Sequence, residues 1–148
     1  MRRTLTALTV ALMLTAPAAA MSEREAVELL NAGITALQAL TAAHAIPLNT
    51  IGAPVTITTG RRLRDEGFPQ GVDRIAVFLD GECSFRSLDP SGLTIWWGAY
   101  VGMPEQIVLS GPVADLADRI VATRAEARAR HGWIMDVYIL DRAAPGQT

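Results

Sequence analysis

The 148-residue chain contains a single cysteine, Cys83, and no lysine, so all 13 of its basic residues are arginine. One cysteine cannot form an internal disulfide, and an unpaired cysteine usually behaves as a small apolar side chain. We therefore expect Cys83 to be buried and the core to stabilise the fold without covalent cross-links. Exclusive use of arginine together with frequent alanine is typical of bacterial genomes rich in G and C.

The chain also lacks the short motifs that indicate catalysis or metal binding. His44 and His131 stand alone, without the H-x-x-x-H or H-E-x-x-H spacing of a metal site. No serine lies in a G-x-S-x-G elbow. We therefore predict no metal site and no cofactor, and no motif in the chain carries a resemblance to a named family.

Acidic residues outnumber basic ones outside the N-terminus. Without Arg2 and Arg3, 11 arginines remain against 15 acidic residues, a side-chain balance of −4. Nucleic acids and anionic membrane surfaces both require a basic face on their partner, so neither is expected as the main partner. No later stretch of the chain is apolar enough to span a bilayer.

The N-terminus has the order of residues that is typical of a secretory signal peptide. Two arginines follow the start methionine, residues 4–16 are apolar, and Ala18 and Ala20 form an A-x-A cleavage site. The apolar segment is shorter than the roughly 20 residues of a membrane-spanning helix. We therefore predict cleavage after Ala20 and a periplasmic or secreted protein, with an uncleaved membrane anchor as the alternative.

The remaining sequence alternates between helical and strand periodicity. One helix is predicted from a capping box of Ser22 and Glu25 to Ala45, and a second from Pro112 to Gly132. Strands are predicted at 55–59, 74–79, 82–88, 93–100, 106–109 and 133–140. The polar segment 61–73 is predicted as a loop with one helical turn at its start.

The dipeptide Asp80-Gly81 lies between two strand-like segments. Such a dipeptide indicates a two-residue type I′ hairpin, because both residues of that turn need a positive φ, which Asp and Gly adopt more readily than most residues. In that register Phe78 lies opposite Cys83, and Ala76 lies opposite Phe85.

These elements predict an α+β fold. We expect a mainly antiparallel sheet of about five strands with two helices packed on one face, and a closing strand–helix–strand crossover. Residues 1–20 are then the cleavable signal peptide, residues 21–142 a single domain and residues 143–148 a flexible tail.

Five residues in two groups are candidates for binding. Arg61, Arg62 and Arg64 form the one basic cluster of the domain, and guanidinium groups bind carboxylates and phosphates. A solvated segment neutralised by neighbouring acids is the alternative. Trp96 and Trp97 are adjacent in a strand and face opposite sides of the sheet, which leaves one of them for a protein or glycan unless both are covered.

Two residues are weak candidates for catalysis. Cys83 can act as a thiol nucleophile beside a histidine, although a strand position does not favour the thiolate. Asp136 interrupts an otherwise apolar strand, so it lies on an edge, pairs with an arginine or is functional. Pairing with an arginine is the favoured interpretation.

Taken together, these observations predict a small exported bacterial domain without catalytic activity. Its expected partner is an envelope protein or a glycan, bound through the sheet surface. The first alternative is an exported hydrolase that uses Cys83 or acidic residues at the turns. The second is a homo-oligomeric structural protein, joined through an exposed strand or a Cys83 disulfide.

Overall fold

A computed structural model of the chain describes residues 22–49 and 51–142. The predicted signal peptide with its cleavage point after Ala20, and the predicted tail of residues 143–148, lie outside the described residues. Within 22–49 and 51–142, no helix has the length and apolar character that crossing a membrane requires.

The structure contains one mixed five-stranded sheet. Its elements are α1 (Glu23–Ala43), β1 (Thr56–Thr59), α2 (Gly60–Glu66), β2 (Arg74–Phe78), a short 3-10 helix (Ser84–Ser87), β3 (Leu93–Ala99), β4 (Ile107–Pro112), α3 (Val113–His131) and β5 (Asp136–Arg142). The strand order is β1-β2-β5-β3-β4. The predicted α+β fold is confirmed, but the sheet is mixed, because β1 and β2 are parallel while the other neighbouring strands are antiparallel.

Helices cover both faces of the sheet. Side chains alternate between the two faces along a strand. Val77 of β2 therefore packs in one core cluster with Ile120 of α3, whereas its neighbour Ala76 packs in a second cluster with Leu37 of α1. The expectation that both helices lie on one face is wrong. The physical reason is visible in β5, whose residues 137–140 are apolar or aromatic and buried on both faces, so that each face needs a cover.

The segment after β2 is not the predicted hairpin. Residues 84–87 form a 3-10 helix, and β2 pairs with β1 and β5 instead. Ala76 lies between Ile57 and Ile139 rather than opposite Phe85, and Phe78 has Thr59 as its strand partner rather than Cys83. The hairpin fails because Asp80 turns its carboxylate onto the backbone of the following residues, which competes with a strand ladder.

Local end signals place the two long helices correctly. The capping box of Ser22 and Glu25 begins α1 as predicted. Gly132 ends α3 with a left-handed φ of 77°, and α3 begins directly after Pro112. The closing crossover is also present, because β4 and β5 both run antiparallel to β3 on its two sides and are therefore parallel to each other.

Candidate functional site

The carboxyl ends of the parallel strands β1 and β2 lie side by side at one end of the sheet. This region beyond the two strand ends is here called the β1/β2 edge. Thr59 ends β1 and α2 begins at the next residue, Gly60. Phe78 ends β2 opposite Thr59, and Leu79 and Asp80 follow it. Because ligands in α/β sheets bind preferentially beyond the carboxyl ends of the strands, this edge is the candidate functional site.

Asp80 is the centre of a buried polar cluster at the β1/β2 edge. Its Oδ2 accepts hydrogen bonds from the Tyr138 hydroxyl and the Ser84 N–H, both at 2.6 Å. Its Oδ1 accepts from the Ser84 hydroxyl at 2.6 Å and from the Glu82 N–H at 3.3 Å. Arg64 of α2 donates to Ser84 Oγ at 2.9 Å and lies 3.9 Å from Asp80. The carboxylate is therefore fully hydrogen-bonded although it is only 6% exposed.

Tyr138 keeps its proton in this cluster. Burial of the phenol, followed by the neighbouring Asp80 carboxylate, raises the pKa of Tyr138 far above its ordinary value. The hydroxyl is therefore a donor throughout the physiological range of pH. It links β5 in the middle of the sheet to the loop that follows β2.

Gly60 packs directly against this cluster. A Cβ at Gly60 would lie 2.2 Å from Asp80 Oδ1, a distance that no side chain tolerates without a shift of the carboxylate. Leu79 and Cys83 flank Asp80 along the chain and have left-handed φ values of 53° and 55°. Such a conformation costs a non-glycine residue about 1–3 kcal/mol of conformational free energy. Backbone strain of this kind is found disproportionately at functional sites. The hydrogen bonds of Asp80 hold the strained loop in place.

Cys83 is buried, as the sequence predicts. Burial raises the pKa of its thiol, so the thiolate is disfavoured. The two histidines are engaged elsewhere: His44 Nε2 lies 3.1 Å from the Trp97 carbonyl oxygen, and the ring of His131 packs edge-on against Tyr100. This arrangement offers no activated nucleophile at Cys83.

Asp136 is paired with an arginine, the arrangement that the sequence favours. Its Oδ2 lies 3.1 Å from Arg124 Nε and accepts a hydrogen bond from the Trp97 indole N–H at 2.9 Å. Both partners of the ion pair are largely buried. The pairing explains why an acidic residue interrupts an apolar strand, because a buried charge needs a partner of opposite sign.

The two tryptophans do face opposite sides of the sheet. Trp97 is completely buried in the core cluster beneath α3, which leaves it no surface for a partner. Trp96 is half-buried on the α1 face, and the guanidinium of Arg74 lies 5.5 Å from the centre of its ring. A binding role for Trp96 stays a prediction.

The arginines at 61, 62 and 64 do not form one basic patch. Arg61 and Arg62 are exposed on α2 and form pairs one helical turn apart with Asp65 at 3.8 Å and Glu66 at 3.0 Å. Arg64 turns inward to the Asp80 cluster. The helical turn predicted at the start of this segment is confirmed and extends over Gly60–Glu66, and the charges of the helix are partly neutralised by neighbouring acidic residues, which agrees with the alternative interpretation. Binding by these arginines stays a prediction.

Sequence reasoning missed three members of the cluster: Gly60, Ser84 and Tyr138. One signal was available for Gly60, because a β-branched strand that ends directly in glycine marks a close approach of backbone to another group. The contact between Tyr138 and Asp80 has no such local signal, since 58 positions separate the two residues. In the part of the chain that the structure describes, no group of three histidine, cysteine or acidic residues is arranged to hold a metal ion.

Comparison with known proteins finds two that are similar to most of this chain. No protein-family model matches it. The chain is 54% identical over 112 residues to a precorrin-6A synthase (deacetylating) from a Sinorhizobium species, which covers 76% of this chain and 42% of the relative. The crystal structure of a Corynebacterium diphtheriae protein named as cobalamin synthesis related (CobF) matches with a TM-score of 0.68 and 34% identity. That match covers 73% of this chain and 45% of CobF, so the chain spans less than half the length of either protein.

These relatives overturn the function predicted from the sequence. The prediction of a non-catalytic, envelope-associated binding domain is wrong, because three quarters of the chain is shared at 54% identity with a protein named as a biosynthetic enzyme. The same finding overturns the alternatives of an exported hydrolase and of a homo-oligomeric structural protein. Export through the N-terminal segment is a separate matter and stays a prediction.

Proposed function

We propose that the described domain is part of a catalytic unit for the deacetylating synthesis of precorrin-6A, within cobalamin biosynthesis. The observation that carries this proposal is the 54% identity to the Sinorhizobium enzyme, which extends over most of the chain. The likeness to CobF, with a TM-score of 0.68 and 34% identity, also supports it. Because the chain spans less than half of these proteins, the activity requires the rest of such an enzyme as well.

The β1/β2 edge is the part of this domain that we assign to the reaction. Asp80 is buried and has all its hydrogen bonds within the protein, so we assign it a positioning role rather than contact with substrate. Its task is to hold the strained loop at Leu79 and Cys83 against Gly60. Arg61 and Arg62 extend into solvent beside the same edge and are the candidate contacts for an anionic group of the substrate.

A chimeric enzyme tests this proposal. The 112 matching residues of the Sinorhizobium enzyme are replaced by those of this chain, and formation of precorrin-6A is followed by chromatography and mass spectrometry. We expect a rate within about tenfold of the parent enzyme, a loss of at most about 1.4 kcal/mol of transition-state stabilisation. A chimera that has the parent's circular dichroism and a cooperative thermal transition, yet forms no precorrin-6A, contradicts the proposal.

Two variants of the chimera test the arginines. Replacing Arg61 and Arg62 together by glutamine is expected to raise KM about tenfold and to leave the fold intact, because both side chains are exposed. The matched control is Arg119→Gln, an exposed arginine on α3. Equal KM values for the double variant and the control would remove Arg61 and Arg62 from the substrate site.

A further inference from the structure

A cavity opens on the α3 face of the sheet, between the segment that follows β2 and the first turns of α3. Its volume is about 200 Å³. Pockets for drug-sized ligands have volumes of roughly 300–1,000 Å³, so this cavity suits a smaller molecule. The lining residues that matter for its chemistry are Phe85, Arg86, Leu88, Val113, Ala117 and Asp118.

The α3 wall of the cavity lies away from the β1/β2 edge. Strands β2 and β3 both run antiparallel to β5 and are therefore parallel to each other, so β3 starts at the end of the sheet opposite to the carboxyl end of β2. Thr94, near the start of β3, pairs with Pro112, and α3 begins at the next residue, Val113. The cavity is therefore a separate feature from the candidate site.

Apolar side chains form the floor of the cavity. Phe85 and Val113 are each 1% exposed and belong to the core cluster beneath α3. Leu88 and Ala117 are partly buried and pack against the same cluster. Because transfer of apolar surface out of water is favourable, this floor selects a ligand with an apolar group.

One positive and one negative side chain stand at the exposed side of the same cavity. Arg86 Nη2 lies 3.4 Å from Asp118 Oδ1, and the two side chains are 54% and 92% exposed. An ion pair that is exposed to this extent contributes little to stability, so a ligand can separate its partners easily. The guanidinium then offers donors to a carboxylate, and the Asp118 carboxylate offers acceptors to an ammonium group.

The cavity and the Asp80 cluster share the 3-10 helix of residues 84–87. Ser84 donates both its N–H and its hydroxyl to Asp80. The next residue, Phe85, packs its ring edge-on against Tyr138, with 5.3 Å between the ring centres, and Tyr138 also donates to Asp80. A ligand that rests on Phe85 therefore orders the helix that holds Asp80.

We propose that this cavity is a binding site for a small apolar α-amino acid in its zwitterionic form. The carboxylate of the ligand binds Arg86, its ammonium group binds Asp118, and its side chain lies on the apolar floor. A carboxylic acid without an amino group would leave Asp118 beside a like charge, and an amine without a carboxylate would do the same to Arg86. This site is additional to the proposed function and does not rest on it.

Titration of the isotope-labelled whole chain with L-leucine, followed by two-dimensional NMR, tests the site. We expect saturable shifts of the backbone N–H signals of Phe85, Leu88 and Ala117 at millimolar concentrations, and slower hydrogen exchange of the Ser84 N–H. Isocaproate and isoamylamine have the same apolar group as leucine but lack its ammonium group or its carboxylate. Each should bind at least about tenfold more weakly than leucine.

Two variants separate the charged side of the cavity from its floor. Arg86→Gln should weaken leucine binding at least about tenfold, and Ala117→Leu should abolish it, because the longer side chain fills the cavity. The matched control is Arg119→Gln, an exposed arginine of α3 outside the cavity, which should leave the affinity unchanged. Urea midpoints report whether each variant is folded, and the exposed position of Arg86 keeps the test available if Ala117→Leu does not fold.

Three results overturn the proposal. The first is the absence of saturable shifts at the cavity when leucine is added. The second is equal affinity for leucine and isocaproate, which would show that Asp118 does not contact the ligand. The third is an unchanged affinity for leucine in folded Arg86→Gln.

Discussion

Replacing Asp80 by asparagine should destabilise this domain strongly, although the change alters the side chain's shape very little. Each carboxylate oxygen accepts two hydrogen bonds: Oδ2 from Tyr138 and the Ser84 backbone, and Oδ1 from the Ser84 hydroxyl and the Glu82 backbone. An amide NH₂ group accepts none. Whichever way the asparagine turns, its NH₂ group meets two donors.

The magnitude follows from the bonds that are lost. A hydrogen bond to a charged group contributes about 1.5–3 kcal/mol to stability, so two of them correspond to about 3–6 kcal/mol. Rotation of the Ser84 or Tyr138 hydroxyl recovers a part, and we expect a net loss of about 3–5 kcal/mol. This is a large fraction of the roughly 5–15 kcal/mol by which a typical domain is stable. Tyr138→Phe removes a single donor and should cost about 1.5–3 kcal/mol.

Urea unfolding of the whole chain, followed by circular dichroism and tryptophan fluorescence, measures both losses. The matched control is Asp89→Asn, because the Asp89 carboxylate also accepts a backbone N–H, that of Ser91 at 3.0 Å, but does so at an exposed turn. The control should move the midpoint little, with the same m-value. If Asp80→Asn moves the midpoint no further than Asp89→Asn, the cluster does not anchor the loop and the positioning role assigned to Asp80 fails.

Three further outcomes follow from particular side chains. Because burial raises the pKa of Cys83, its thiol should react with a maleimide at pH 8 at least about a hundredfold more slowly in the native protein than in urea; equal rates would show an open site. Gly60→Ala should lower the free energy of unfolding by about 1–3 kcal/mol, because the added Cβ would lie 2.2 Å from Asp80 Oδ1. The control Gly81→Ala should change the urea midpoint little, because a Cβ at Gly81 would have no atom within 4 Å. Hydrogen bonds from the Ser22 hydroxyl and the Ser22 backbone N–H lower the pKa of Glu25, so the stabilisation of α1 is present above the ordinary pKa and is lost as the pH falls through the lowered one. In an NMR titration, Ser22→Ala should raise the Glu25 pKa part of the way to its ordinary value, because the backbone N–H stays in place; an unmoved pKa would exclude the capping box.

The parts of the fold that the sequence predicts correctly depend on neighbours along the chain. The capping box of Ser22 and Glu25, the left-handed glycine at 132 and the apolar periodicity of the helices are each contained within a few residues. The burial of Cys83 and the pairing of Asp136 also follow from elementary desolvation, without knowledge of the fold.

The parts that fail depend on residues that are distant in sequence. Asp80-Gly81 has the composition of a hairpin turn, but the decisive partner of Asp80 is the hydroxyl of Tyr138, 58 positions later. The opposite placement of the helices follows from the apolar character of both faces of β5 at residues 137–140, because each apolar face needs its own cover. The function could not be predicted, because the likeness to the Sinorhizobium enzyme is spread over 112 residues rather than concentrated in a motif.

The position of β5 has a consequence for how the chain is made. Of the five strands of this sheet, β5 is synthesised after the other four, yet it lies in the centre of the sheet and joins β2 to β3. Until it leaves the ribosome, the first two strands and the β3–β4 pair are separate fragments with open edges, which are prone to aggregate. The sheet therefore assembles only after residues 136–142 have been synthesised, and a stop codon a few residues before Asp136 should abolish the fold rather than shorten it.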